Sequence, residues 1–226
     1  MDERRAVKSY VLRQGRLTKA QARAIDRHWG DFGVNYRDET LDLDELFGRD
    51  APRVLDIGTG MGETILELAR ENPENDYLAV EVHRPGIGRL LYGIAEHQLS
   101  NIRVINHDVV DVINRQVPEE SLTSVYIHFP DPWPKKRHHK RRLTQPDFIN
   151  RLTALMKSEG QLYLATDSPG LAEYMLAVCD AESGLINQAG RGNFAPRPLW
   201  RPLTKFEQRA LDMNHRVWEL IYCRGI

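Results

Sequence analysis

The 226-residue chain is 41% apolar, enough for one substantial core, and its 31 Lys and Arg against 32 Asp and Glu leave a net charge of −1. That balance excludes a uniformly basic nucleic-acid coat, and no apolar run approaches the roughly eighteen residues of a membrane span or the h-region of an export signal. Cys179 and Cys223 belong to no CxxC pair, so neither a zinc site nor a redox dithiol is expected, and a reduced, cytoplasmic setting is.

Residues 1–34 hold seven basic residues and no acid between Arg4 and Arg23, and show no strong apolar period. They read as a basic arm that orders on binding, with a disordered tail as the alternative, ahead of a domain spanning 35–226. Residues 38–50 are mainly acidic. From residue 52 onward, short runs rich in Val, Ile and Tyr at 53–57, 77–82, 102–106, 124–129 and 161–165 alternate with helical stretches at 63–71, 86–98, 145–156 and 170–180. Two further strands at 184–188 and 216–222 flank a loop rich in Gly, Pro and Arg and a short helix at 206–213. Alternating strands and helices imply an α/β fold with helices on both faces of a mostly parallel sheet. The terminal strand, helix and strand point to a seven-stranded, Rossmann-like sheet of the methyltransferase type rather than a six-stranded dinucleotide fold.

The first strand runs into Asp56-Ile57-Gly58-Thr59-Gly60-Met61-Gly62, with a helix following. Gly58, Gly60 and Gly62 let the backbone turn sharply and approach a ligand that a Cβ would exclude. The dinucleotide fingerprint needs Gly or Ala at 63, where Glu63 stands, so the spacing favours an S-adenosylmethionine site over a pyrophosphate site. Glu81 ends the second strand 23 residues after Gly58, where a carboxylate accepts from ribose hydroxyls. Asp108 follows the third, placed to meet the adenine amine. Singly, each acid reads equally as a helix cap or solvated loop residue; together they mark the strand edge where ligands bind in open α/β sheets.

The fourth strand ends in His128-Phe129-Pro130-Asp131-Pro132-Trp133-Pro134. The two prolines around Asp131 fix the backbone and aim a carboxylate and an indole from the sheet edge. Lys135 to Arg142 then packs six Lys or Arg into eight positions, a phosphate-binding surface or a solvated face. His138 and His139, adjacent in an all-basic run, are assigned to phosphate or solvent and not to a metal.

These stretches, with 9–18, 81–88 (Glu-Val-His-Arg-Pro-Gly-Ile-Gly) and 201–207 (Arg-Pro-Leu-Thr-Lys-Phe-Glu), make the chain resemble the bacterial tRNA (guanine-N7-)-methyltransferases over nearly its whole length. The resemblance implies S-adenosylmethionine as cofactor, tRNA as partner and the variable loop as target. It implies that Asp56, Glu81, Asp108 and Asp131 line the cofactor site, that Asp131 is catalytic, and that Lys135, Asp167, Thr204, Lys205, Phe206 and Glu207 touch the RNA. Asp56 stands where many members have Glu, and Asn214-His215-Arg216 replaces a Gly-His-Gly-type stretch. Thr204 and Glu207 also fit a capping box, and Asp167 also fits a cap for the following helix.

Guanine N7 carries a lone pair and no proton, so its methylation needs alignment and electrostatics rather than a general base. Other readings are a non-catalytic RNA-binding subunit with the same fold, a methyltransferase acting on another substrate, and a nicotinamide oxidoreductase. Glu63 and the extra terminal strands disfavour the last.

Overall fold

The computed structural model describes residues 8–10, 15–203, 207–208, 212 and 216–226. In chain order the elements are α1 (Lys19–Phe32), β1 (Gly33–Val34), α2 (Leu43–Phe47), β2 (Arg53–Ile57), α3 (Glu63–Glu71), β3 (Asp76–Val80), α4 (Arg84–Glu96) and β4 (Ile102–Ile105). Then come α5 (Val109–Arg115), β5 (Leu122–His128), a 3-10 turn (Lys136–Arg141), α6 (Pro146–Leu155), β6 (Met156–Thr166), α7 (Pro169–Ala181), β7 (Leu185–Asn187) and β8 (Trp218–Arg224). The short helix expected at 206–213 falls largely outside the described residues.

One sheet runs in the order β1-β4-β3-β2-β5-β6-β8-β7, parallel from β1 through β6 and antiparallel where β8 meets β6 and β7. The α/β class is as expected, with eight strands instead of seven. The additional one is β1, two residues beside Val104 and Ile105 on the edge, too short to carry an alternation. Every residue of β2 and β3 is buried, as helices on both faces require. On one face α5, α6 and α7 cover Leu55, Ile57, Val80, Val125, Ile127 and Leu164; on the other α1, α3 and α4 cover Val54, Tyr77, Ala79 and Tyr126.

Residues 19–34, expected in a basic arm, form α1 and β1 instead. Thr18 accepts from the Gln21 N–H at 3.2 Å while Gln21 Oε1 accepts from the Thr18 N–H at 2.9 Å, a reciprocal cap. Ile25, Trp29 and Phe32 pack into the α3–α4 cluster at i, i+4 and i+7 spacing, a stripe too narrow to stand out among polar neighbours. Helix α4 accepts this neighbour because Gly88 has no side chain: a Cβ there would meet the backbone of Gln21 at 2.8 Å. No helix of the described residues is long and apolar enough to cross a membrane.

Candidate active site

The C-terminal ends of β2, β3, β4 and β5 open on one edge of the sheet. Gly58, Gly60 and Gly62 all have left-handed backbones (φ 76°, 62° and 81°), which carries the chain from β2 over the edge and into α3. The start of α4 closes on this turn, where a Cβ on Gly86 would stand 2.2 Å from the Gly60 carbonyl oxygen. Beneath the turn lies a cavity of about 290 Å³, lined by Ile57, Gly58, Glu81, His107, His128, Phe129 and Asp131, among others. Ser9 and Tyr10 form its outer wall.

Glu81 is the centre of the turn. One carboxylate oxygen accepts from the Gly60 N–H at 2.8 Å; the other accepts from the Val82 and His83 N–H groups at 2.7 and 2.8 Å. Three of its roughly four lone-pair positions therefore brace the protein, leaving one for a further donor. A close-approach glycine turn, a buried carboxylate and an apolar floor of Ile57, Val80 and Val109 fit a nucleoside-bearing ligand.

The other expected acids divide. Asp131 is exposed and lines the cavity. Phe129 and Trp133, on either side of it, have φ of 51° and 45°, unusual for bulky residues, and the Phe129 N–H is tied to the Ala165 carbonyl at 2.8 Å. Asp108 is the N-cap of α5, accepting from the Val110 N–H at 3.1 Å; its neighbours His107 and Val109, not Asp108 itself, line the cavity. Asp56 is buried inside β2 and does not line the cavity either. Its burial pushes the carboxyl up to about 7, against the pull of a Thr59 hydrogen bond and with help from the charge of Glu81.

Asp167 is exposed just past β6, and α7 starts from Ser168 without a side-chain cap, so the capping alternative is not realised. Lys135 is exposed at the head of the 3-10 turn. Glu207, expected to touch RNA, is almost fully buried and holds Arg201 and Arg197 instead, which removes its carboxylate from the surface. Thr204, Lys205 and Phe206 lie outside the described residues, and with them the Thr204 half of the capping box.

The basic run also divides. Arg142 is buried over the Tyr174 ring, its Nε donating to the Pro132 carbonyl at 3.2 Å. Arg141 lies 4.0 Å over the Trp133 ring and donates to the carbonyls of Lys8 and Tyr10, while the Trp133 indole N–H donates to the Ser9 carbonyl at 3.0 Å. These two arginines therefore build the edge, and Lys135, Lys136, Arg137 and Lys140 remain exposed. His128 faces the cavity as a neutral ring: burial, then the nearby Arg201 charge, hold its pKa down at about 3. Its Nε2 is buried without a hydrogen-bond partner among the described residues. His107, also lining the cavity, stacks on Tyr36 at 3.8 Å and pairs with Asp111. His128 closes β5 and His107 follows β4 by two residues, beside residues whose sequence had already marked this edge; nothing in the sequence signalled Ser9 and Tyr10 as its wall.

Residues 50–220 match the family model Methyltransf_4, described as "Putative methyltransferase". A tRNA (guanine-N(7)-)-methyltransferase of Nitrosospira multiformis is 50% identical over 96% of this chain and 94% of its own length, and one of Hydrogenovibrio crunogenus 47% over 99% and 93%. Among solved structures, the 16S rRNA methyltransferase KamB superposes with a TM-score of 0.59 over 83% of this chain and 95% of its own, at 17% identity, a likeness of fold. With a glycine turn, a braced Glu81 and a rigid Asp131 at one strand edge, and half of its residues shared with these relatives end to end, the chain belongs to the tRNA (guanine-N7-)-methyltransferase family.

Proposed function

We propose that this chain transfers the methyl group of S-adenosylmethionine to N7 of a guanine in tRNA, at the edge formed by Glu81 and Asp131. When bound, the cofactor supplies an electrophilic methyl on a sulfonium. The N7 lone pair forms the new C–N bond as the C–S bond breaks and its electron pair stays on sulfur; no proton leaves the base. The chain's work is therefore to hold and orient. Glu81 and the Gly58–Gly62 turn bind the nucleoside end, and the apolar floor excludes water.

The observation that carries this reading is Asp131, an exposed carboxylate on a proline-flanked turn at the mouth of the cofactor cavity. A carboxylate there accepts from the guanine N1–H and N2 amine, which adenine lacks as a pair, and favours the positive charge that the purine gains. Asp167 is the second acceptor, and Lys135, Lys136, Arg137 and Lys140 meet the backbone phosphates. Thr204, Lys205 and Phe206 complete the RNA contacts by family resemblance.

Incubation with labelled S-adenosylmethionine and unmodified tRNA, followed by reduction and aniline cleavage, tests this. Cleavage at a variable-loop guanine is expected. Binding of tRNA without transfer would replace it with a non-catalytic RNA-binding role, and transfer to protein or small molecules but not tRNA with another substrate class.

A further inference from the structure

Arg201 is the largest of the fully buried side chains, and it sits outside the cavity. Its two terminal nitrogens donate to both oxygens of Glu207, at 2.7 and 2.8 Å, and one of them also donates to Glu219 at 2.5 Å. Arg197 completes the cluster, donating to Glu207 at 2.7 Å and to the Arg201 carbonyl at 2.6 Å. Glu219 lies on β8, directly across from Ala165 on β6, which in turn pairs with His128 on β5. The guanidinium thus lies at the end of the row that carries the strand into Phe129, and its carbon is 5.9 Å from the Phe129 ring centre. One residue earlier, Trp200 stands against Tyr126 and Tyr163 of the same sheet, with ring centres 5.4 and 4.9 Å apart.

A buried ion cluster is an expensive way to fill a core: well-packed apolar side chains of the same volume serve as well or better for stability. What apolar packing lacks is direction. A guanidinium fork with three fixed acceptors holds its partners in one arrangement. Here the partners are both ends of the 201–207 segment, strand β8 and the Phe129 ring at the root of the Asp131 turn.

We propose that Arg201 is a positioning residue for methyl transfer: through Glu207, Glu219 and the Phe129 ring it ties strand β8 to the root of the turn bearing Asp131, so that the reactive edge keeps one geometry. This rests on the function proposed above, since it takes Asp131 as the carboxylate that meets the guanine. Arg201 touches neither reactant; it acts through Glu207 and Phe129.

Two variants test it. Arg201→Lys keeps the charge without the fork. Arg201→Met combined with Glu219→Leu removes one charge of each sign and leaves Glu207 paired with Arg197. Folding is followed by thermal unfolding, cofactor affinity by calorimetry without tRNA, and methyl transfer by single-turnover assay with tRNA. The expected result is a folded protein whose cofactor affinity stays within about twofold of wild type while transfer falls about a hundredfold, the scale of a ~1 Å misplacement. Transfer within about threefold of wild type in either folded variant overturns the proposal. So does failure of both variants to fold, since the cluster is then required by the fold rather than by substrate placement. A wild-type protein inactive on tRNA would instead reject the proposed function, a result separable from any behaviour of the variants.

Discussion

Asp56 gives the chain a stability that falls as pH rises. Its carboxyl is held at about 7 in the folded protein against an ordinary 3.8, chiefly by burial in β2. Below the ordinary value both states are protonated and the group is neutral to folding. Between the two values the folded state retains a proton that the unfolded state has lost, so stability declines through that window and levels off above it. At about 1.4 kcal/mol per pH unit, the whole window is worth on the order of 4 kcal/mol, and the part above pH 5 about 2–3 kcal/mol.

Asp56→Asn removes the titration and keeps the shape. Urea unfolding of the two proteins without cofactor, at pH 5 and pH 8, measures the difference. The variant is expected to gain about 2–3 kcal/mol relative to wild type between these pH values. A gap that stays constant within about 0.5 kcal/mol would show that the folded state does not hold this proton, and would refute the burial argument.

Glu81→Gln should weaken cofactor binding by about 1.5–3 kcal/mol, the scale of a charge-assisted hydrogen bond, and calorimetry returning wild-type affinity would reject the assignment. Gly86→Ala should cost about 1–3 kcal/mol in stability, because the Gly60 carbonyl must move to admit the methyl group; an unchanged Tm would mean that the turn yields freely. Neutralising Lys136, Arg137 and Lys140 should lower the salt slope of tRNA binding by about one for each phosphate that these side chains neutralise, whereas Arg141→Gln should leave it unaltered. Asp131→Asn should reduce single-turnover transfer by about two to three orders of magnitude, and rates within a few-fold of wild type would remove its electrostatic role. Because His128 titrates at about 3, it should contribute no step to wild-type transfer between about pH 6.5 and 8.5; a sigmoid in that range that persists in Asp56→Asn would point to a different histidine.

The legible parts of this fold were those where one local rule acts without competition. Strand β2 is found with its bounds intact at 53–57, because a run buried on both faces and cut by a glycine turn has no other reading. α1, α5 and β1 were not legible for physical reasons. α1 buries only one narrow stripe, α5 is seven residues long, and β1 has two residues whose pairing is set by β4 rather than by themselves. At the site, the sequence marks which acids stand on the strand edge and not what satisfies them. Glu207 looks like half of a cap, yet Arg201 and Arg197, six and ten residues before it, claim its carboxylate. Arg142 reads as one more phosphate ligand, yet the Tyr174 ring and the Pro132 carbonyl bury it. A charge run has no pattern that separates its structural members from its exposed ones, because both choices depend on residues distant in sequence.

The acids at this edge sort by what their neighbours leave them free to do, and the sorting follows the chemistry. Glu81 is engaged by three backbone N–H groups and Asp108 by one, so each fixes a strand-to-helix turn before any ligand arrives. Of the two only Glu81 lines the cavity, and under the proposed function it suits a cofactor that binds in one pose, since a carboxylate already oriented loses little freedom on accepting a further hydroxyl. Asp131 and Asp167 make no hydrogen bond or ion pair among the described residues and are both exposed, at the ends of the neighbouring strands β5 and β6. Acceptors without a protein partner would be wasteful in a core, but at a mouth they are what the proposed function needs, to meet a base brought by a large polynucleotide. The rigidity that Asp131 lacks in its own side chain is supplied behind it, by the two prolines, by Phe129 in its left-handed turn and by the buried guanidinium of Arg201 against that ring. Under the proposed function, a site of this kind would bind its small ligand against a braced acceptor and select its large one with exposed carboxylates on a fixed backbone.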